Sequence, residues 1–375
     1  MSVALVNGRV LIGDELVEGV AVLVEGGRIQ AIVPANEAKA DETRDLAGAL
    51  LLPGFIDTQV NGGGGVLFND APTIETIAAI GAAHRAFGTT GFLPTLISDD
   101  LSVIAIAIAA VDAAIAAGVP GVLGVHIEGP FLNAERKGIH DASKFRVLDD
   151  EAFALLTSLK RGRTLVTLAP EMTTPHEIRR LADAGIIVAA GHTNADYQTA
   201  AAAFANGATG ATHLFNAMSP LTSRAPGVVG AALESAAWCG IIVDGVHVHP
   251  ATLRIALASR PHDRFMLVSD AMPSVGGPKR FTLQGREIVA ADGVCRAADG
   301  TLAGSDLDMA GAVRNAVAMT GLTLPQAANM AARSPAAFLG LSAETGAIAP
   351  GLRADLVAAD DQLNVIETWI GGASA

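Results

Sequence analysis

The chain reads as an α/β protein built on a closed parallel barrel, because eight apolar strand-like segments alternate with Ala-rich helical stretches after Pro53. A second observation frames the first: both chain ends are rich in short β-like runs. A third is chemical, since several of the eight segments end in His, Asp or Glu, at the end of a barrel strand where active sites form.

The first fifty residues carry VALVNGRVLI and GVAVLVEGGRIQAIV, with Asn7-Gly8 and Gly26-Gly27 supplying turns. The C-terminal GLRADLVAADDQLNVIETWI has the same character. Between them, strands are expected at GFIDTQV (54–60), GFLPTLI (91–97), GVLGVHIE (121–128) and TLVTLAPE (164–171). The next four are expected at IIVAAGH (186–192), GATHLF (210–215), GIIVDGVH (240–247) and FMLVSD (265–270). A doubly wound open sheet is the alternative, but no G-x-G-x-x-G follows the first strand. Residues 101–119, LSVIAIAIAAVDAAIAAGV, are long enough to span a bilayer. Asp112 inside the run and acidic rather than basic flanks predict a packed helix ending at Gly118 and Pro120 instead.

Composition excludes several classes. With 375 residues, half of them hydrophobic, the chain can bury a large core, and its net charge of −13 offers no basic footprint for nucleic acid. Cys239 and Cys295 are too few for a disulfide framework, which fits a reducing cytoplasm. No basic n-region followed by a long apolar stretch and a small-residue cleavage site opens the sequence, so no signal peptide is expected, and no membrane is expected as a partner.

In GVLGVHIEGPF, Val122, Gly124, His126 and Glu128 share one strand face, and Glu128 ends an apolar strand where an unpaired charge is costly. Strand five ends in His192, strand six contains His213, strand seven leads to Asp244 and His247, and strand eight ends in Asp270. Glu128, His192 and His213 together would form a carboxylate and two-imidazole set with a coordination position open for water. Non-haem iron uses the same donors, so ligand type leaves zinc and iron(II) both open. Asp270 is the leading proton-transfer group. His126 reads as a core group beneath Glu128. His84, His176 and His262 read as ordinary polar residues, Lys137 and Arg136 as solvated, and Glu171 as structural or supporting the site.

The segments PGFIDTQVNGGGG, HIEGPFLNAERKGIH, LAPE, GHTNADY, THLFNAM, DGVHV, VSDAM and LAGSDL resemble the N-acetylglucosamine-6-phosphate deacetylases of the amidohydrolase superfamily. The resemblance covers nearly the whole chain. It implies a (β/α)8 barrel, residues 53–346, carrying a small β-sandwich formed by residues 1–52 together with 347–375. It also implies metal-dependent hydrolysis of the acetamido group of an amino-sugar 6-phosphate, releasing acetate. Residue by residue, Glu128, His192 and His213 match metal ligands, Asp270 the catalytic acid/base, and Ile139 and His140 a segment contacting substrate near its carbonyl. Asn216 and Ala217 match a substrate-binding turn, Arg224 and His247 phosphate contacts, and Ala303, Gly304 and Ser305 a loop that closes on the sugar. His249 is a weaker alternative phosphate contact.

Many amidohydrolases carry His-x-His at the end of strand one, where this chain has Gln59 and Asn61. Neutral amides are poor ligands for a transition metal, which predicts one divalent ion per chain, zinc first and iron(II) second. A galactosamine epimer as substrate, or another amidohydrolase activity on a cyclic amide or by deamination, remains open at this level. A homodimer is expected, with Arg224 reaching a phosphate in its own chain or its partner's.

Overall fold

A computed structural model of the chain describes residues 1–374. Eight parallel strands form one sheet: Phe55–Val60, Thr89–Ile97, Gly124–Glu128, Arg163–Leu168, Ile187–Ala190, Ala208–Ala211, Trp238–Ile241 and Phe265–Leu267, each beside its sequence neighbour. A parallel bridge between Val60 and Ala271 brings the first and eighth together, and the backbone N–H of Asn61 donates to the Ala271 carbonyl at 2.9 Å. The result is a TIM-type barrel. All eight expected strands are present, mostly shorter than the apolar segments that announced them.

Each strand is buried along nearly its whole length because helices cover the outer face. The apolar run after Asp100 is a helix over Leu101–Ala116 whose inner face is Ile104, Ala107, Ile108, Val111 and Ala114. Gly118 follows at φ +75°, a left-handed position that ends the helix and that glycine adopts without strain. Asp112 pairs with Arg161 at 3.1 Å. No helix among the described residues is long and apolar enough to cross a membrane.

Two further sheets are built from the chain ends. One orders Arg28–Pro34, Val20–Glu25, Ser2–Val6 and Glu42–Asp45. The other mixes Leu50–Pro53, Arg9–Ile12 and Glu15–Val17 with the C-terminal Leu356–Ala359, Val365–Ile370 and Ala373–Ser374. Leu5, Val22, Ile29, Leu51, Leu356 and Trp369 share one core between them.

One element was not anticipated. Arg280–Leu283, Arg286–Ala291, Val294–Ala297 and Leu302–Ser305 form an antiparallel sheet just after strand eight. Leu283, Ile288, Cys295 and Ala303 pack it against Leu67, Ile97 and Met272 at the barrel mouth. The stretch expected as a closing loop at 303–305 is therefore a strand. Its side chains alternate, so Ala303 is buried in that core and Ser305 donates to the Ser269 carbonyl at 2.5 Å, while Gly304 is on the cavity wall.

Candidate active site

A cavity of about 360 Å³ opens at the C-terminal ends of the strands. Glu128, His192, His213 and Asp270 line its floor, with Ile139, His140, Asn216, Ala217, His247 and Gly304 around it and Leu67, Ile97, Met272 and Leu283 as an apolar wall. Three of the floor residues sit at φ +49° (His192), +31° (His213) and +52° (Asp270). Left-handed backbone is costly for residues with a side chain, and it survives here because the ends of parallel strands are held on both sides.

His213 Nε2 lies 3.1 Å from Glu128 Oε1 and 3.1 Å from His192 Nε2, and His192 Nε2 lies 3.2 Å from the same carboxylate oxygen. The three donors are almost fully buried. Two imidazole lone pairs facing each other across a carboxylate repel unless something positive lies between them, so the donor set fits a shared divalent cation. Burial alone would raise the Glu128 carboxyl, but the hydrogen bonds and charge of the two imidazoles hold it well below the usual range. His192 Nδ1 donates to the Arg136 carbonyl at 2.8 Å, leaving its Nε2 lone pair free to ligate. The Nδ1 of His213 is buried with no partner.

His140 also brings a ring nitrogen within 4.8 Å of donor atoms of Glu128 and His192. Its tautomer excludes it as the third ligand. The Ser98 backbone N–H donates to His140 Nδ1 at 3.3 Å and the Ser98 hydroxyl lies 2.8 Å from the same atom. With Nδ1 accepting, the proton of neutral His140 is on Nε2. Burial, then the charge of His192, holds this imidazole well below its ordinary pKa, so it stays neutral and offers an N–H.

Asp270 faces the triangle from strand eight. Gln59 Nε2 donates to its Oδ1 at 3.2 Å and Asn61 Nδ2 at 2.7 Å, so Oδ2 is the oxygen open to proton transfer. Gln59 Nε2 also reaches both oxygens of Glu128 at 3.2 Å. Burial, then the charge of Glu128, raises Asp270 to about 6, near the range in which a carboxyl both takes and returns a proton at neutral pH.

Other predicted residues fall in place or out of it. His247 lines the cavity and its Nδ1 is 2.5 Å from Asp244 Oδ2. Burial opposes ionisation of Asp244, yet the His247 bond and charge keep its pKa lowered. Arg224 is exposed on the loop after strand six and is not brought to its own chain's cavity. His249 caps the helix Pro250–Ala258, accepting from the Ala251 N–H at 3.2 Å. His126 is in the core, between Thr95 at 3.2 Å and Thr167 at 2.8 Å. Lys137 is exposed, but Arg136 is half-buried and lines the cavity, contrary to the solvated reading.

Of the groups that support the site, sequence reasoning marked Glu171 as structural or supporting and missed Asp57 and Ser98. Glu171 accepts from Asn133 Nδ2 at 2.9 Å, the Asn194 N–H at 2.6 Å and the Thr193 hydroxyl at 2.5 Å, tying the loop before His140 to the residues after His192. Asp57, fully buried, accepts from the Ser269 hydroxyl and from the backbone N–H groups of Gln59 at 3.1 Å and Ser269 at 3.3 Å, one residue before Asp270. Ser98 sets the His140 tautomer. PGFID and LAPE carried the only sequence signal for the first two, and Ser98 had none.

Residues 50–374 match the amidohydrolase family model, and residues 3–51 match a NagA composite domain. The chain belongs to the amidohydrolase family. This amidohydrolase is 43% identical to an N-acetylgalactosamine-6-phosphate deacetylase from Shewanella sp. (strain ANA-3), over 98% of this chain and 94% of that one. It is 37% identical to an N-acetylglucosamine-6-phosphate deacetylase from Haemophilus influenzae, over 99% of each. A crystal structure of N-acetylglucosamine-6-phosphate deacetylase from Pasteurella multocida superposes on the amidohydrolase with a TM-score of 0.97 at 35% identity, covering all of both chains.

Proposed function

We propose that the protein hydrolyses the acetamido group of N-acetylglucosamine 6-phosphate, giving glucosamine 6-phosphate and acetate. The observation that carries the reading is the buried triangle of Glu128, His192 and His213 facing Asp270 across one cavity. The deacetylase relatives support the substrate class.

Glu128, His192 and His213 would hold one divalent ion, zinc before iron(II), which supplies Lewis acidity to the amide carbonyl. His140 donates its Nε2–H to the oxygen on which negative charge develops. Asp270 takes a proton from the attacking water at Oδ2 and returns it to the departing amine. Gln59 and Asn61 hold the carboxylate for both transfers. Their N–H groups point at Asp270 and Glu128, where imidazoles would bind a second ion, which supports a single metal. Asn216, Ala217, Ile139 and Gly304 shape the sugar pocket, and His247, fixed by Asp244, supplies a phosphate donor. Ala303 and Ser305 act behind that wall.

The galactosamine epimer is a second reading, favoured by the 43% identity to the Shewanella enzyme. Acetate release from both 6-phosphate epimers, with metal content measured on the same sample, tests both. Acetate from neither sinks the deacetylase assignment, and the larger kcat/KM names the substrate.

Arg224 completes the phosphate site from a partner chain in this reading, and the protein acts as a homodimer. Exposed Leu221 and Val246 on the loops after strands six and seven, 56% and 43% accessible, support an isologous contact beside the mouth. Mixing Arg224→Ala chains with Asp270→Asn chains should restore activity, because one site of the mixed dimer is intact. Mixed dimers without recovery would place Arg224 elsewhere. The two free, buried cysteines support a reducing cytoplasm.

A further inference from the structure

The strand-one amides replace expected imidazoles, and one of their atoms is left without a partner. Asn61 is 3% exposed, lines the cavity, and donates from Nδ2 to Asp270 Oδ1 at 2.7 Å. A carboxylate oxygen only accepts, so this contact fixes which end of the amide is nitrogen. Its Oδ1 is therefore the other end, and it is buried with no hydrogen-bond partner. An unsatisfied buried carbonyl costs free energy comparable to a lost hydrogen bond, so the position calls for a donor from something that enters the cavity.

Resting on the deacetylase reading, the geometry points to the N–H of the scissile amide as that donor: Asn61 Oδ1 accepts it, so that one side chain orients both the proton carrier and the nitrogen that receives the proton. The planar amide fixes the two contacts relative to each other. Water attack forms the C–O bond while Asp270 Oδ2 gains the water proton. The nitrogen of the tetrahedral adduct then keeps its original N–H on Asn61, which turns its lone pair towards Asp270. Proton transfer from Oδ2 forms the second N–H as the C–N bond breaks, its electron pair going to nitrogen, and Asp270 is again a carboxylate. An ester oxygen in place of the N–H has no hydrogen to offer Asn61, so the device selects amides over esters. Gln59 has no such role, because it does not line the cavity.

The test compares the acetamido substrate with its ester analogue, 2-O-acetylglucose 6-phosphate, in wild type, Asn61→Ala and Asn61→Asp, with metal content and melting temperature checked for each. Loss of the Asp270 contact slows both substrates, whereas loss of the acceptor slows only the amide. Asn61→Ala should therefore lower kcat/KM for the amide about tenfold more than for the ester, the worth of one hydrogen bond. Asn61→Asp keeps an acceptor at that place and should slow both substrates while retaining the wild-type amide-to-ester ratio. An unchanged ratio in Asn61→Ala, or the same ratio change in both variants, overturns the proposal. A wild type that cleaves the ester but neither epimer's amide removes the deacetylase reading itself.

Discussion

The two sides of the cavity floor solve opposite electrostatic problems with similar backbone. On strands three, five and six, Glu128, His192 and His213 gather one carboxylate oxygen and two Nε2 atoms within 3.2 Å of one another. On strands one and eight, Gln59 and Asn61 turn N–H groups towards Asp270. One side is arranged to hold a cation, the other to hold and release a proton. Interchanging imidazole for amide at a strand end therefore changes what the rim binds without changing the barrel.

Variants on each side should separate these tasks. Glu128→Ala removes the only charged donor of the triangle and should lose the metal together with activity, by about a thousandfold or more, since Lewis acid catalysis contributes several kcal/mol. Asp270→Asn should lower turnover by roughly 100-fold or more while keeping one metal per chain, because it removes only proton transfer. Elemental analysis beside kcat checks both. Metal loss in Asp270→Asn would mean that the two sides are not independent.

A smaller effect is expected behind the cation side. Glu171→Ala releases Asn133, Thr193 and Asn194 from their common carboxylate, so His192 loses part of its support. Metal affinity should fall by about 10- to 100-fold, read by chelator competition, with the turnover of the fully loaded enzyme changed less. Equal loss of turnover at saturating metal would instead place Glu171 in the chemistry.

An effect on stability rather than on catalysis lies away from both sides. His84 is buried in the helix Ile74–Arg85, with Nε2 at 2.9 Å from the Gly62 carbonyl, and burial lowers its pKa to about 4. A folded value below the unfolded one means that protons prefer the unfolded chain. Its stabilising contribution is present above about pH 6.5 and falls progressively to pH 4, by about 3 kcal/mol at the end. Denaturant midpoints should fall over that window, and a His84→Gln variant should show a shallower fall. Activity should have an acid limb at pH 6 or lower, because Asp270 must be ionised to accept the proton and a cation on Glu128 would reduce the charge that raises it.

Sequence alone determined the order of the eight strands, a helix within residues 101–119 and which acidic and imidazole residues lie at or just beyond the strand ends. These follow from local periodicity, and a parallel barrel strand must be apolar on both faces while its end meets the cavity. Sequence also marked Gln59 and Asn61, but only as missing ligands. Their use as donors depended on Asp270, more than two hundred residues away, arriving beside them. The tautomer of His140 rests on Ser98, and the support of His192 on the Arg136 carbonyl, an atom that every residue carries. The sheet at 280–305 stayed hidden because its short strands between Gly turns are individually weak signals, stabilised by packing on Leu67 and Ile97. Chemical type is written along the chain, whereas hydrogen-bond direction, proton position and charge neutralisation are properties of neighbours, and only the folded barrel chose those neighbours.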